Sequence, residues 1–284
     1  MKKTIRLLLW CWPWLVQSAD AHAWGLYTHV FFAQWLIWGV PLLDGELRRA
    51  VSRYPRLVLA GACLPDLALI GGLVGTKAYD NTHCWENAAA MLAQARNDED
   101  RALIVGFYSH LYADVVAHHH FVPAHEHLWV DWPMVAHIAA EWAMDAHIGS
   151  QVTARPGDLM TEAQPQIVSL LRHHYGLSER QATDSVIALA CADGWLRRLR
   201  LPQWLYHGLM RIDLRLRHRF DHFVNETNNR LPGINRVLAG EIPLPDANGA
   251  PASISQARLA GFTRQQIRAG QPLPDDCHYG NISS

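Results

Sequence analysis

The sequence has little charge, and the charge it has is balanced in sign. Only 18% of the 284 residues are charged, and 25 lysines and arginines stand against 26 acidic residues. No field of one sign therefore surrounds the molecule, and a stable nucleic-acid partner held by bulk electrostatic attraction is not expected. Half of the residues are hydrophobic, which rules out a disordered chain and suffices for a large buried core.

Other patterns are missing as well. The sequence has no internal repeat, no coiled-coil heptad and no series of short alternating strands, so a β-sandwich domain is not expected. Its five cysteines include no Cys-x-x-Cys pair of the kind that binds zinc through thiolates. In contrast, the chain contains 17 histidines and 12 tryptophans. Histidine is the commonest metal ligand, so the composition already indicates a site.

The first 23 residues have the features of a signal peptide. A basic start is followed by the apolar run Leu7 to Val16, which is too short to span a bilayer. Ala21-His22-Ala23 fits the cleavage pattern, so we expect export to the periplasm or secretion, with Trp24 as the first mature residue. An uncleaved amphipathic anchor is the alternative interpretation.

Four cysteines remain after this cleavage, namely Cys63, Cys84, Cys191 and Cys277. In an oxidising compartment they allow two disulfides, in any of three connectivities that the sequence cannot distinguish. Free structural cysteines are the alternative.

Hydrophobic periodicity predicts an all-α fold with a single multi-helix domain. The predicted helices cover residues 27–38, 45–60, 86–96, 100–120, 133–150, 162–175, 178–199 and 202–229. Residues 61–75 resemble a loop. The helical domain is expected over 24–230, followed by an irregular, proline-rich C-terminal segment over 231–284 with one short helix near 253–269.

Two histidine–carboxylate pairs lie on consecutive predicted helices. His110 and Asp114 are one helical turn apart, and His118 extends the same stripe among apolar neighbours. His137 and Glu141 repeat this spacing on the next long helix. A solvated helix face would explain one such pair, but two pairs on buried helices provide the nitrogen and oxygen ligands that zinc prefers.

Three further candidates precede these pairs. Trp24-Gly-Leu-Tyr-Thr-His29 places a histidine near the expected mature amino terminus, Pro65-Asp66 places a carboxylate in a rigid loop, and His83 lies between a loop and a helix. Taken singly, each also has an ordinary structural explanation, because Asp after Pro is common in turns.

Taken in order over residues 24–145, these residues resemble the zinc-dependent phospholipase C family and the related single-strand-specific zinc nucleases. The resemblance implies about three zinc ions in one polynuclear site. One ion would be held by Asp66, His83, His110 and Asp114, and a second by the amino group and carbonyl of Trp24 with His29, with Asp114 bridging the two. The third would be held by His137, Glu141 and one histidine of the triplet His118-His119-His120.

The choice within that triplet stays open. A regular helix presents His118 in line with His110 and Asp114. Better-known family members place the ligand six residues after the bridging aspartate, which corresponds to His120. We keep both candidates, with His118 slightly favoured. His119, His125, His127 and His147 have no counterpart and are expected around the site or at the surface.

The resemblance implies an exported zinc-dependent phosphoric diester hydrolase that acts on phospholipids, with Asp66 orienting or deprotonating the attacking water. The apolar residues 67–74 and the tryptophans Trp129 and Trp132 suggest transient contact with a membrane surface, although a place in the core is an equal alternative. A single-strand-specific nuclease is the second candidate, and a non-catalytic exported zinc-binding protein is the third. No protein partner is inferred.

Overall fold

The computed structural model describes residues 25–125, 129 and 133–240, and every regular element within them is helical. The first half contains the helices α1 (Leu26–Gly39), α2 (Gly45–Arg53), α3 (Pro55–Gly61), α4 (Ala68–Gly71), α5 (Trp85–Ala93) and α6 (Asp98–Val116). After a π-helical turn at Ala117–Phe121 follow α7 (Val122–His125), α8 (Pro133–Ile148), α9 (Pro156–Glu162), α10 (Gln164–Tyr175), α11 (Glu179–Arg198), α12 (Leu201–Ile212), α13 (Leu216–Arg230) and α14 (Ile234–Leu238). Turns of 3-10 helix lie at Pro65–Leu67, Gly149–Gln151 and Leu231–Gly233. The predicted all-α fold is confirmed for these residues.

The long helix α6 is the central element of the fold. Of its 19 residues, 15 are buried, because α1, α2, α3 and α5 all pack against it. The acidic residues Asp98, Glu99 and Asp100 form its first turn, where the helix dipole favours negative charge. The side chain of Asn97 accepts a hydrogen bond from the Asp100 amide at 2.8 Å and caps the same end.

Two glycines let α3 cross α6 with their backbones in contact. A Cβ atom on Gly106 would lie 2.0 Å from the carbonyl oxygen of Val58, and one on Gly61 would lie 2.0 Å from that of Leu103. This close crossing brings the chain that leaves α3 onto the middle of α6. The segment that carries Asp66 therefore runs beside the turn of α6 that carries His110.

Two predicted helices are each divided in the structure. The predicted helix 45–60 breaks at Tyr54 because Pro55, which has no amide hydrogen, begins a new helix. The predicted helix 202–229 breaks at Asp213, which is extended and fully buried. The Asp213 carboxylate accepts hydrogen bonds from the indole of Trp129 and the guanidinium of Arg219, so the break makes a buried polar cluster.

Helical structure also continues beyond residue 230, where the sequence predicts an irregular segment. Leu231, Ile234 and Val237 are buried, and the Asn235 side chain bonds the backbone of Pro41 and Leu43. This packing explains why residues 231–238 are ordered as part of the helical domain. The rest of the predicted C-terminal segment, residues 241–284, and the predicted signal peptide 1–23 lie outside the described residues.

Two further expectations concern membranes and thiols. Among the described residues, no helix combines the length and the apolar character needed to cross a membrane.

The thiol of Cys63 is free and buried, and that of Cys191 is free and exposed. Cys11 and Cys277 lie outside the described residues.

The glycine crossing yields a prediction about stability. Gly106→Ala should lower the free energy of unfolding by about 2 kcal/mol, because the new methyl group would overlap the Val58 carbonyl and force the helices apart. Gly194→Ala is the matched control, since the space around this glycine in α11 is open and alanine should stabilise the helix by about 0.5–1 kcal/mol. Urea denaturation of both variants measures the difference, and equal effects would contradict the close crossing.

Candidate metal centre

Five of the predicted ligands converge at one buried point. His29, Asp66 and His110 have donor atoms within 4.8 Å of one another, and so do His83, His110 and Asp114. All five side chains are at most about 3% exposed. They come from α1, the 3-10 turn after α3, the loop before α5, and α6, so the tertiary fold alone brings them together.

The carboxylate of Asp114 faces histidines with both of its oxygens. Its Oδ1 lies 3.3 Å from Nε2 of His29, and its Oδ2 lies 3.0 Å from Nε2 of His110 and 3.5 Å from Nε2 of His83. A carboxylate placed in this way can hold one cation on each side. The bridging role that the sequence resemblance implies for Asp114 stays a prediction.

Asp66 faces the same histidines from the 3-10 turn that follows α3, and it lies farther from them than Asp114 does. Its Oδ1 lies 3.9 Å from Nε2 of both His83 and His110. The residue belongs to the 3-10 turn Pro65–Leu67, in which the proline restricts the backbone. Asp66 is thus held rigidly at the edge of the histidine cluster.

Hydrogen bonds on the outer ring nitrogens orient two of these histidines. Nδ1 of His110 lies 2.8 Å from the carbonyl oxygen of Ala62, and Nδ1 of His83 lies 3.3 Å from the hydroxyl of Thr82. The Thr82 hydroxyl is itself held by the carbonyl of Pro65 at 2.8 Å. Partners at Nδ1 leave Nε2 of both rings directed inward, as in histidines that bind metal. The two Nε2 atoms are 3.2 Å apart.

The local electrostatics favour positive charge at this point. Burial lowers the pKa of His110, whereas the carboxylates of Asp114 and Asp66 raise it, and the net result is a pKa above the ordinary value. His29 and His110 stack with ring centroids 3.4 Å apart. Three histidine nitrogens and two carboxylates that are all buried form a donor set of the kind that zinc binds. The residues present therefore fit the predicted metal.

A second group repeats the same geometry on α8. Nε2 of His137 lies 2.6 Å from the carboxylate of Glu141, one turn on, as His110 lies beside Asp114. The ring of His118 is 5.6 Å from that of His137, with the planes at 65°. The corresponding values for His83 and His110 are 5.2 Å and 62°. The His137–Glu141 pair thus has one further histidine ring beside it, although the three donor atoms are not gathered as closely as those of the first group.

The helix that carries the histidine triplet is not regular. Helix α6 ends at Val116, and Ala117–Phe121 form a π-helical turn instead of the predicted continuation to residue 120. The backbone N–H of Val122 donates to the carbonyl oxygen of Ala117, five residues earlier, which is the hydrogen-bond pattern of a π-helix. Both His118 and His120 are 9% exposed, so the turn keeps the two side chains largely buried.

Trp24 lies outside the described residues, but the structure shows how the residue after it is fixed. A Cβ atom on Gly25 would lie 2.3 Å from the carboxylate of Asp145, so only glycine fits there. The Asp145 carboxylate accepts hydrogen bonds from the amide of Thr28 at 3.0 Å, from its hydroxyl at 2.8 Å and from the guanidinium of Arg197. This Asp145 brace holds the first turn of α1 and with it His29.

Sequence reasoning did not assign a role to the Asp145 brace. Asp145 and Thr28 are 117 residues apart, and Arg197 lies on α11, so no spacing connects them. His125, expected around the site or at the surface, is fully buried beside Arg219 and bonds the carbonyl of Phe121. It therefore supports the end of the π-helical turn.

An all-helical protein that gathers buried histidines and carboxylates in this way belongs to the class of metal-binding proteins with nitrogen and oxygen ligands. Residues 28–182 match the family described as zinc-dependent phospholipase C, which covers more than half of the chain. The chain belongs to this family, and zinc is the metal on which the family depends. No curated protein and no solved structure gave a match.

The Asp145 brace leads to a prediction. Asp145→Asn should lower the free energy of unfolding by about 3 kcal/mol, because it leaves the largely buried Arg197 without one of its two charged partners. Asp184→Asn removes an exposed carboxylate that pairs with Arg180 on α11 and should change stability by less than about 0.5 kcal/mol. Thermal unfolding compares the two, and a small loss in Asp145→Asn would show that the brace does not hold α1.

Proposed function

We propose that this protein is a zinc-dependent phosphodiesterase of the phospholipase C type that hydrolyses phospholipids. The observation that carries the proposal is the two-sided Asp114 carboxylate among His29, His83 and His110. Family membership supplies the reaction class, a phospholipase C-type hydrolysis. The carboxylate–histidine cluster supplies the side chains that would bind the metal ions for such a reaction.

The ligand assignment is part of the proposal. Asp66, His83, His110 and Asp114 would hold one zinc, and His29, Asp114 and the amino group and carbonyl of Trp24 would hold a second. His137, Glu141 and His118 would hold a third, because the His137–Glu141 pair has the one-turn spacing of His110–Asp114 and the His118 ring lies beside His137. On this ring contact we favour His118 and keep His120 as the alternative ligand.

When bound, zinc ions at these positions would lower the pKa of a water and neutralise charge on the phosphate. Asp66 is the residue that we propose as the base that takes a proton from the attacking water. Its carboxylate lies at the rim of the histidine cluster and is held by Pro65, so it is rigid but set back from the histidines. The two oxygens of Asp114 contact His29 and His110 from either side and so orient both rings.

Other functions remain as alternatives for the experiment to separate. A single-strand-specific zinc nuclease is the runner-up, because the sequence Trp24-Gly25 and the position of His29 are typical of that group. A non-catalytic zinc-binding protein is less favoured, since each ligand type is retained. Hydrolysis assays of the mature protein on phosphatidylcholine vesicles and on single-stranded DNA, with zinc analysis, distinguish the three.

We also propose that the protein is exported. The basic start, the short apolar run and the Ala21-His22-Ala23 pattern support cleavage before Trp24. Cleavage there would free the amino group that the second zinc requires.

Asp114→Asn should be the most damaging single substitution in the site. Loss of the negative charge weakens the ligand on both sides, so we expect zinc content to fall from about three ions per chain to about one, and hydrolysis to fall by at least about a thousandfold. Asp98→Asn, in the first turn of the same helix, where the carboxylate pairs with Arg49 and not with a histidine, should keep both zinc and activity. Elemental analysis and phosphodiester assays measure these quantities. Fewer than two zinc ions in the wild-type protein would contradict the polynuclear site.

The two histidines of the π-helical turn provide a matched pair. His118→Ala should lose the third zinc and most activity because its ring lies beside His137, whereas His120→Ala should retain the ion. Losses around a metal site are typically 10–100-fold, so the ligand should stand out by a larger effect. The opposite order would assign His120, and equal mild effects would remove the third ion from the proposal.

A further inference from the structure

The outer face of α12 exposes large apolar side chains. Trp204 is 74% exposed and Ile212 is 38% exposed, and together with His207, Gly208 and Arg211 they lie at the spacing of one helical face. We refer to these five residues as the α12 face. The opposite side of the helix packs into the core through Leu205, Tyr206, Leu209 and Met210. Leu214, just after the helix, is 67% exposed.

The surroundings of the α12 face are strongly basic. Residues 194–221 contain seven of the 25 lysines and arginines of the chain and two acidic residues, Asp213 and the exposed Asp221, which pairs with His147. Asp213 is buried and paired with Arg219, and Arg197 is paired within the Asp145 brace. The other arginines of this segment are all exposed, namely Arg198, Arg200, Arg211, Arg215 and Arg217. The segment is therefore positive in a chain whose overall charge is nearly zero.

We propose that the α12 face docks on a lipid bilayer that contains anionic lipids. Tryptophan and aliphatic side chains flanked by arginine are suited to the boundary between head groups and acyl chains. The positive charge complements an anionic surface, where each basic residue contributes to binding. A nucleic acid would use stacking on Trp204, but it would gain nothing from Ile212 and Leu214, so the apolar surface favours lipid.

This face differs from the surfaces that the sequence suggested. Trp129 is only 7% exposed, and its indole donates to Asp213. In the apolar stretch after Asp66, Leu67 and Ile70 are buried, and Leu73 is the strongly exposed member. Trp132 lies outside the described residues. Two exposed tryptophans of the described residues lie in this arginine-rich segment: Trp204 on the α12 face, and Trp195 on α11, where the Arg198 guanidinium lies 5.7 Å from the ring centre.

The inference rests on the proposed lipid substrate and adds how the enzyme would reach it. Helix α12 packs against α8, which carries His137 and Glu141. Docking through the outer side of α12 would therefore anchor the protein one helix away from the proposed third zinc ligands. Retention at the surface would raise the local concentration of lipid substrate.

Vesicle co-sedimentation of the mature protein tests the docking. The Asp66→Asn background prevents hydrolysis during the measurement. We expect binding to vesicles in which phosphatidylglycerol replaces about a third of the phosphatidylcholine to exceed binding to pure phosphatidylcholine by about tenfold, and to fall with salt. Equal, weak binding to both vesicle types would overturn the proposal.

Substitutions then locate the surface. Arg211→Gln should weaken binding about fivefold, and Trp204→Ala should weaken it by at least as much. The controls are Trp38→Ala, which removes a tryptophan that is 79% exposed on α1, and Arg48→Gln, which removes an exposed arginine on α2. Both controls should bind within about twofold of the parent. Loss of binding in the controls but not in the α12 variants would place the docking surface elsewhere and overturn the proposal.

Companion measurements separate this inference from the proposed function. With Asp66 restored, all four variants should keep their zinc content and their rate on a water-soluble phosphodiester. Vesicle binding without hydrolysis of any lipid would reject the proposed function but not the docking. Trp204-dependent binding of a single-stranded oligonucleotide without vesicle binding, or a dimer that Trp204→Ala dissociates, would show a different occupant of the face and overturn the docking.

Discussion

The structure depends on the burial of the Asp114 carboxylate among three histidines. Several ionisable groups within about 4 Å of one another in a dry interior are costly unless opposite charges and a bound cation compensate them. The central helix α6 carries both His110 and Asp114, and its other sides are occupied by apolar contacts with four neighbouring helices. The glycine crossing of α3 then brings Asp66 and the Ala62 carbonyl to this helix, so the packing of the core and the shape of the site have the same origin.

The site is assembled from one local unit used twice. In each case a histidine and a carboxylate are one turn apart on a buried helix, and a second histidine approaches the first at a steep angle between the ring planes. The unit on α6 is completed by His29 and Asp66, whereas the unit on α8 is completed by the π-helical turn. The same spacing therefore occurs in two different surroundings, which differ in the segments that approach from outside the helix.

Much of this organisation is readable from the sequence because it is local. The periodic apolar pattern predicts the helices, and the i, i+4 spacing predicts the pairs His110–Asp114 and His137–Glu141. The place of Asp66 and His83 beside α6 depends on the tertiary crossing of α3, so residue spacing alone could not predict it and the family resemblance did. The helical segment over 231–238 was not predicted, because its packing involves distant residues such as Pro41. The burial of Trp129, which the sequence left as an equal alternative to exposure, depends on the distant Asp213. The π-helical turn has no signal in the residue spacing.

The Asp145 brace also makes one side of the metal centre depend on residues far along the chain. Helix α1 is the first described helix along the chain, yet its start is held by residues on α8 and α11, and Thr28 is 117 residues from Asp145. His29, one residue after Thr28, faces Asp114 from this helix. The pocket is therefore a property of the whole helical domain and not of α6 alone.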